Sequence, residues 1–511
     1  MIASPQSVMG EGGRHALRIA RVFLLVAAGG CATLEPLHEH RDSADARVRE
    51  CAGWFAALDA AVDGAGVRDV QATRIGGFPY LRVDRFHASL RHAARKDERA
   101  LEALVDRLYA LDIGARAHEV SNLPADRLEE LWRDLGDPGV AASVQRTREC
   151  GRVLRRVDMA RPDSRNALIE RLIVPDDYVD SYRIAGLYAL TKIPFSAGVL
   201  RHLERTQAAF RRDLDAATQG TVVRYSPPAR PRVSREQLGQ ILARSAYNAL
   251  RVPEPGHEDL ETLFAHYAPS FEVDTTGDHD RPGALRWRWG PVPEVEAADL
   301  AVYRQVAHTR YRGASLLQLV YTVWFPERPR DASVDLLAGK LDGVVFRVTL
   351  APDGLPLLYD TMHACGCYHL FFATPRAAPT QPPEGEVEWA FVPQTLADAG
   401  SGHGPVVRIA SRTHYVERVY SDTLDSLARY EFRPYDELRS LPRMGRGTRS
   451  VFGPGGFIAG TDRGESYLFW PMGIANAGAM RQWGRHATAF VGRRHFDDAD
   501  LIERRFVLDL K

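Results

Sequence analysis

The chain has 511 residues, 45% hydrophobic and 26% charged, a composition typical of a folded globular protein with two or three domains. Its 66 basic and 66 acidic residues give a formal net charge of zero, which excludes a bulk electrostatic attraction to nucleic acid or to anionic lipid. We therefore expect no nucleic-acid partner.

The first 31 residues have the pattern of a targeting segment. Arginines up to Arg21 precede an apolar run over residues 22–28, shorter than the about 20 residues that span a bilayer and typical of a signal-peptide core. Residues 28–31, Ala-Gly-Gly-Cys, resemble the lipobox of bacterial lipoproteins, with alanine where a large aliphatic residue is usual. The resemblance implies a signal peptide over residues 1–30 and a lipid on Cys31. The protein would then be anchored to a membrane of the cell envelope and face the periplasm; an ordinary signal peptide is the alternative.

The remaining cysteines are even in number. An oxidising compartment favours pairing, and Cys51 and Cys150 both lie in predicted helices of the first half. We predict a disulfide between them, with two buried free thiols as the alternative.

The hydrophobic periodicity changes from helical to alternating near residue 269, which predicts an α+β protein: a helical N-terminal domain followed by an antiparallel β-rich domain with a few helices. The predicted parts are a tether over 31–43, a helical domain over 44–222, a linker with connecting helices over 223–268, and a β-rich domain over 269–511.

Helices are predicted from the spacing of apolar residues and from the prolines between them. Their approximate ranges are 45–62, 98–112, 125–135, 139–157, 164–172, 196–217, 235–249 and 476–483. A short hairpin is considered within residues 68–90. Strands are predicted over 270–274, 285–289, 315–324, 343–350, 355–363, 406–409 and 466–470, and residues 351–354 form the turn of a hairpin.

The most unusual motif directly follows the second strand of that hairpin. His363, Cys365, Cys367 and His369 alternate with other residues, so a continuing strand would place all four on one face. Imidazole and thiolate suit zinc or copper. A straight row could not bring four ligands to one metal, but Gly366 permits a bend. The motif predicts a metal site that uses two or three of these residues and ligands from elsewhere.

Other residues could complete or orient such a site. Asp360 lies three residues before His363 and could accept a hydrogen bond from a ligand imidazole. Asp335, Asp342 and Asp353 also surround the hairpin. The distant ligand candidates are His308, His403, His414, His486, His495, Asp497, Asp498, Asp278, His279 and Asp280.

The sequence is compatible with three interpretations. The first is a metal-binding envelope lipoprotein, with zinc or copper, that could be a metalloenzyme. The second is a non-catalytic structural or partner-binding lipoprotein with a Cys365–Cys367 disulfide. The third is a thiol–disulfide redox protein. The sequence has no Gly-x-Ser-x-Gly, Walker A or His-Glu-x-x-His motif, so the substrate and the reaction type stay undefined.

Overall fold

The protein is α+β, as predicted, with a helix-rich first part and a sheet-rich second part. The computed structural model describes residues 40–133, 139–396, 404–422, 426–445 and 447–510. The helices are α1 Ala46–Gly64, α2 Arg85–Ser89, α3 Arg91–Lys96, α4 Glu98–Asn122, α5 Ala125–Trp132, α6 Val140–Met159, α7 Pro162–Glu170, α8 Asp180–Ala185, α9 Tyr188–Phe210, α10 Leu214–Ala217, α11 Arg235–Ser245, α12 His257–Tyr267, α13 Ser466–Phe469 and α14 Leu501–Arg505.

The strands form one large sheet, one four-stranded sheet and several two-stranded pairs. Their bounds are β1 Thr73–Ile75, β2 Phe78–Val83, β3 Thr221–Tyr225, β4 Ser270–Thr275, β5 Ala284–Arg286, β6 Glu294–Glu296, β7 Ala301–Tyr311, β8 Ala314–Arg328, β9 Gly339–Leu350, β10 Pro356–His363, β11 Leu370–Ala373, β12 Ala377–Pro379, β13 Gln394–Thr395, β14 Gly404–Ile409, β15 Val416–Asp422, β16 Glu431–Pro434, β17 Leu441–Pro442, β18 Thr448–Arg449 and β19 Phe506–Leu508.

The helical part is built around α1, α4, α6 and the β1–β2 hairpin. The carboxylate of Asp45 caps α1 by accepting a hydrogen bond from the backbone of Arg47. The apolar stripe of α1 is buried, with Leu58 fully enclosed. Cys51 and Cys150 form a disulfide that joins α1 to α6, with 4.8 Å between their Cα atoms, which confirms the predicted pair.

Buried ion pairs fix the helical part against the second part of the chain. The guanidinium of Arg439 donates to Asp69 at 2.8 Å, and Arg85 lies 3.2 Å from Asp497. Both arginines are largely enclosed, so their charges need these carboxylates.

The large sheet has the strand order β13-β11-β10-β9-β8-β7-β16. Its inner strands β7 to β11 pair antiparallel, and the outermost strands β13 and β16 add in parallel. The β9–β10 hairpin turns at Ala351–Gly354, as predicted. Its far end brings His363 opposite Val344, so residues just before Val344 lie beside the end of β10.

The four-stranded sheet, in the order β15-β14-β4-β3, shares one hydrophobic core with the large sheet. Phe271 of β4 and Val407 of β14 pack in the same cluster as Tyr321 and Phe346 of the large sheet. The loop between β14 and β15 reaches the start of β9, where His414 lies 3.0 Å from Asp342.

Two predicted elements are wrong. Residues 466–470 are not a strand: they form the short helix α13 and the start of the 3-10 helix Trp470–Met472. Residues 476–483 are not a helix, because Asn476 and Gly478 both have left-handed backbone angles, which an α-helix cannot contain.

Helix α9 begins earlier and ends earlier than predicted, at Tyr188 instead of about residue 196 and at Phe210 instead of about residue 217. Pro194 lies inside it. Proline removes a single backbone donor, and packing of one side of the helix compensates for that loss.

The segment that carries the predicted signal peptide and Cys31 lies outside the described residues. Within the described ranges, no helix combines the length and the apolar character needed to cross a membrane.

Candidate functional site

A cavity of about 1350 Å³ lies between α9 and the start of β11. Its apolar wall comes from α9, with Phe195 and Val199, and from the loop residues Trp389 and Phe391. The polar side chains that line it include Thr361, His363, Tyr368, His369, Arg412, Tyr415, Glu465 and Arg494. The cavity is therefore suited to a molecule with both an apolar and a polar part.

The His/Cys motif forms a tight turn at this wall, not a continued strand. The backbone N–H of His363 donates to the carbonyl of Cys367 at 2.9 Å. Gly366 has a φ of +91°, and a Cβ there would lie 2.6 Å from the carbonyl oxygen of Ala487. Tyr368 also adopts left-handed angles, with a φ of 58°. Such strain in a non-glycine residue often accompanies a functional site.

His363 is held by Asp342. Its Nδ1 lies 3.2 Å from Oδ1 of Asp342, and both side chains are buried. An ionised carboxylate only accepts, so Nδ1 is the donor to Asp342, and in the tautomer with a single ring proton Nε2 carries the lone pair. Nε2 has no hydrogen-bond partner among the described residues. This is the tautomer that a general base requires.

Asp342 also binds a second histidine. Its Oδ2 lies 3.0 Å from Nδ1 of His414, whose Nε2 lies 3.4 Å from Asp280. The His414 ring stacks on Phe325 with 4.1 Å between ring centroids. The four side chains form a buried row, Asp280–His414–Asp342–His363, which we call the relay.

The charges in the relay stabilise one another. Burial alone would lower the pKa of His414, but the hydrogen bonds to Asp280 and Asp342 raise it above its usual value. Burial alone would raise the pKa of Asp342, but His363 and His414 hold it well below its usual range. His414 between two carboxylates therefore favours the imidazolium form.

Asp280 is fixed at the far end of the relay. It accepts hydrogen bonds from the backbone of Arg412 at 2.7 Å and of Thr276 at 2.9 Å, and from the hydroxyl of Ser411 at 2.8 Å. Burial opposes its ionisation, but these donors and His414 lower its pKa. The relay thus ends in a carboxylate that stays charged.

His369 belongs to a different carboxylate. Its Nε2 donates to Asp360 at 2.9 Å, while Arg347 donates to both oxygens of the same carboxylate. Burial lowers the pKa of His369 to about 3. His369 is therefore a neutral imidazole with a fixed ring, and its Nδ1 has no hydrogen-bond partner in the described part of the chain. The role that the sequence suggests for Asp360, orienting the imidazole of a metal ligand, stays a prediction.

Unpartnered buried polar atoms are concentrated at this wall. Thr361 Oγ1, His363 Nε2 and His369 Nδ1 all lack partners among the described residues, and all three residues line the cavity. Each such atom costs about 1–3 kcal/mol when it is left without a hydrogen bond. Three of them within nine residues indicate a place where a ligand or water completes the bonding.

Two phenols and an arginine surround His363. The rings of Tyr368 and Tyr415 lie 5.0 and 5.7 Å from its imidazole, and the guanidinium of Arg328 lies 3.3 Å from the Tyr415 hydroxyl. Burial raises the pKa of both tyrosines. They stay neutral near pH 7 and can donate hydrogen bonds to a ligand.

Glu465 is a further acid–base group on the same wall. Burial raises its pKa to about 7, although Arg463 and Arg328 oppose the shift. A carboxyl group with this pKa can take up or release a proton at neutral pH. No sequence motif indicated Glu465, which directly precedes the strand predicted over 466–470.

The two cysteines of the motif are buried free thiols, so the disulfide considered between them is not present. The neighbouring Cys365 and burial raise the pKa of Cys367 well above its usual value. This disfavours a reactive thiolate.

The four predicted metal ligands do not converge. His363 and His369 bind different carboxylates, and the cysteines lie in the turn between them. Within the described residues, no group of three or more His, Cys, Asp or Glu side chains has an arrangement that could hold a metal ion. The metal site therefore stays a prediction from the sequence.

Of the distant candidates, the structure brings His414 and Asp280 to the motif through the relay. His486 donates to the carbonyl of Ala364 at 3.1 Å and supports the turn from behind. His308 bonds Pro253, and His495 lies among Asp176, Asp177 and Asp498, away from the motif. His279 lies beside Asp280, Asp278 is exposed, and Asp497 pairs with Arg85. His403 lies outside the described residues.

The relay holds His363 beside a large cavity in the tautomer that a base requires. His369, which is not part of the relay, is a fixed hydrogen-bond acceptor at the same wall. Such a site can move a proton to or from a bound molecule. Comparison with protein-family models, curated proteins and solved structures found no match to this chain.

Proposed function

We propose that this protein is an enzyme that binds an amphipathic molecule in the cavity and uses His363 for proton transfer. The observation that carries the proposal is the buried, unpartnered Nε2 of His363 at the cavity wall, with its ring oriented by Asp342. A purely structural histidine would normally have both nitrogens satisfied.

The composition of the walls supports an amphipathic ligand. An apolar chain can lie along α9 and Phe391, while a polar end can reach Thr361, His363 and His369. The volume of about 1350 Å³ exceeds the range of about 300–1,000 Å³ usual for drug-sized ligands. A long-chain molecule therefore fits better than a small metabolite.

His363 and Glu465 would share the acid–base work. His363 would take a proton at Nε2, and the negative charge of Asp342 would stabilise the resulting imidazolium. Glu465, with a pKa of about 7, can return a proton to the product. Tyr415, held by Arg328, can donate a hydrogen bond to developing negative charge.

The test is conversion of amphipathic substrates by His363→Gln. Wild-type protein and the variant are incubated with a cellular lipid extract, and depleted and new components are identified by mass spectrometry. We expect wild-type protein to convert at least one component and His363→Gln to convert it about 10²–10⁴-fold more slowly, because the base is gone.

His257→Gln is the matched control, because the His257 side chain is 87% exposed and is not among the residues that line the cavity. It should retain most of the activity. The proposal is contradicted if wild-type protein converts nothing in the extract, or if His363→Gln is as fast as His257→Gln.

The cellular localisation of the protein is a separate proposal: we propose export to the cell envelope, with a lipid on Cys31. Its support is the sequence pattern of residues 1–31. The disulfide between Cys51 and Cys150 agrees with an oxidising compartment.

A further inference from the structure

Helix α9 is apolar on two opposite sides. At 100° per residue, Phe195, Val199 and His202 form one stripe, which lines the cavity. Leu190 and Ile193 lie on the opposite stripe and expose 65% of their surface each. Leu200 continues that outer stripe. A helix that only covered a cavity would have a polar outer side.

Two segments that contact α9 add further exposed apolar residues. The ring of Tyr182 in α8 lies 6.2 Å from that of Trp470. The resulting surface, which we call the apolar face, consists of Tyr182, Ile184, Leu187, Leu190, Ile193, Leu200, Tyr467, Leu468 and Trp470, all exposed large hydrophobic residues.

The helix that carries the apolar face also carries an excess of positive charge. Residues 188–212 contain five basic side chains and a single acidic one, Glu204. All five basic residues are exposed: Lys192, Arg201, Arg205, Arg211 and Arg212. The chain as a whole is neutral, so α9 and its C-terminal end form a locally positive segment.

These features fit a lipid surface better than another protein copy. Exposed leucine and isoleucine, aromatic residues and flanking lysine and arginine characterise helices that lie in a membrane interface. Anionic headgroups complement the five positive charges. A second copy docked through the same face about a two-fold axis would bring like charges together.

We propose that the apolar face lies against an anionic lipid bilayer, with α9 in the plane of the interface. The outer stripe inserts among the acyl chains, and the inner stripe lines the cavity. The helix is thus the wall between the bilayer and the cavity. This inference does not depend on the chemistry of His363.

The test is sedimentation with lipid vesicles. The full-length chain carries Cys31→Ser to prevent attachment of a lipid, and it is compared with the same chain carrying Leu190→Gln, Ile193→Gln and Leu200→Gln. On vesicles of phosphatidylcholine and phosphatidylglycerol we expect the triple variant to lose at least about tenfold in partition coefficient, because three inserted side chains are lost. Both chains share the same N terminus, whose contribution cancels.

The matched control is Tyr247→Gln with Val334→Gln and Leu427→Gln, which removes three exposed apolar side chains elsewhere. It should bind as the parent does. Pure phosphatidylcholine vesicles should bind the parent more weakly than the anionic vesicles. Equal binding by the parent and the α9 variant overturns the proposal. So does a parent that elutes as a dimer, becomes a monomer on the α9 substitutions, and ignores the vesicles.

Discussion

At the scale of residues, two histidine–aspartate pairs of the same kind have different properties. His363 and His369 each donate to a carboxylate, but Arg347 neutralises the carboxylate of His369. The partner of His363 is instead shared with His414. Burial lowers the pKa of His369 to about 3, so its Nδ1 carries no proton and can only accept a hydrogen bond, while Nε2 donates to Asp360. Of these two histidines, His363 is therefore the one that we propose for proton transfer.

Gly366 is the residue on which the turn depends. We expect Gly366→Ala to lower the free energy of unfolding for two reasons: left-handed angles cost an L-residue about 1–2 kcal/mol, and the new Cβ would collide with the Ala487 carbonyl. Urea unfolding measures the change.

Gly385→Ala separates the two causes, since Gly385 has a similar φ of +82° and nothing within 4 Å of a Cβ. It should lose only the conformational part, and Gly366→Ala should lose at least about 1 kcal/mol more. Equal losses would mean that the turn is not held against Ala487.

At the scale of elements, the sequence predicts the hairpin well and the site only in part. Alternation and the Pro-Asp-Gly turn determine β9 and β10, because both depend on local patterns. The partnership of Asp342 with His363 depends on register: with His363 opposite Val344, the carboxylate two residues earlier on β9 lies beside the end of β10. A register cannot be derived from residue types alone.

The sequence could not predict where His414 and Asp280 meet the motif. His414 follows β14 and Asp280 follows β4, and these strands pair in parallel at a sequence separation of more than 130 residues. Their 3.4 Å approach is a property of the four-stranded sheet and of its shared core with the large sheet. Imidazole and carboxylate side chains alone predict metal binding as readily as they predict a proton relay.

Helix α9 illustrates a different limit. Because α9 has two apolar stripes, it lacks the division into one apolar and one polar side on which a prediction from periodicity depends. The hydrophobic pattern therefore predicts only an approximate range for the helix. The predicted start lies after Pro194 because proline usually marks a helix boundary, but this helix contains the proline. The unusual pattern has a physical reason if one side covers a cavity and the other contacts lipid.

At the scale of the whole molecule, buried neutral histidines make the fold sensitive to acid. Burial lowers the pKa of His308 to about 4 and of His369 and His486 to about 3. Below their ordinary value of about 6.5, the unfolded chain binds protons that the folded chain rejects. Each group therefore removes about 1.4 kcal/mol of stability per pH unit as the pH falls from about 6.5 towards its folded pKa.

His414 changes the pH dependence of stability in the opposite direction. Its raised pKa contributes stability below about pH 6.5, which is lost as the pH rises through its folded value. Burial also lowers the pKa of His118, His202 and His266. With three strongly lowered groups and these three further ones against one raised group, we expect the free energy of unfolding in urea to fall from pH 6.5 to pH 4.5.

His308→Gln should make this fall shallower, because one of the three strongly lowered groups is gone. His257→Gln is the control, since the His257 side chain is 87% exposed. A slope that is unchanged by His308→Gln and reduced by His257→Gln would refute the assignment.

The central claim is that the cavity holds an amphipathic molecule with its polar end at the unpartnered atoms of Thr361, His363 and His369. A crystal structure of the protein with a long-chain alcohol tests it most directly. We expect the chain to lie along α9 and the hydroxyl to be within hydrogen-bond distance of His363 Nε2. A cavity filled by protein side chains, or an alcohol bound with its hydroxyl away from all three atoms, would contradict the account.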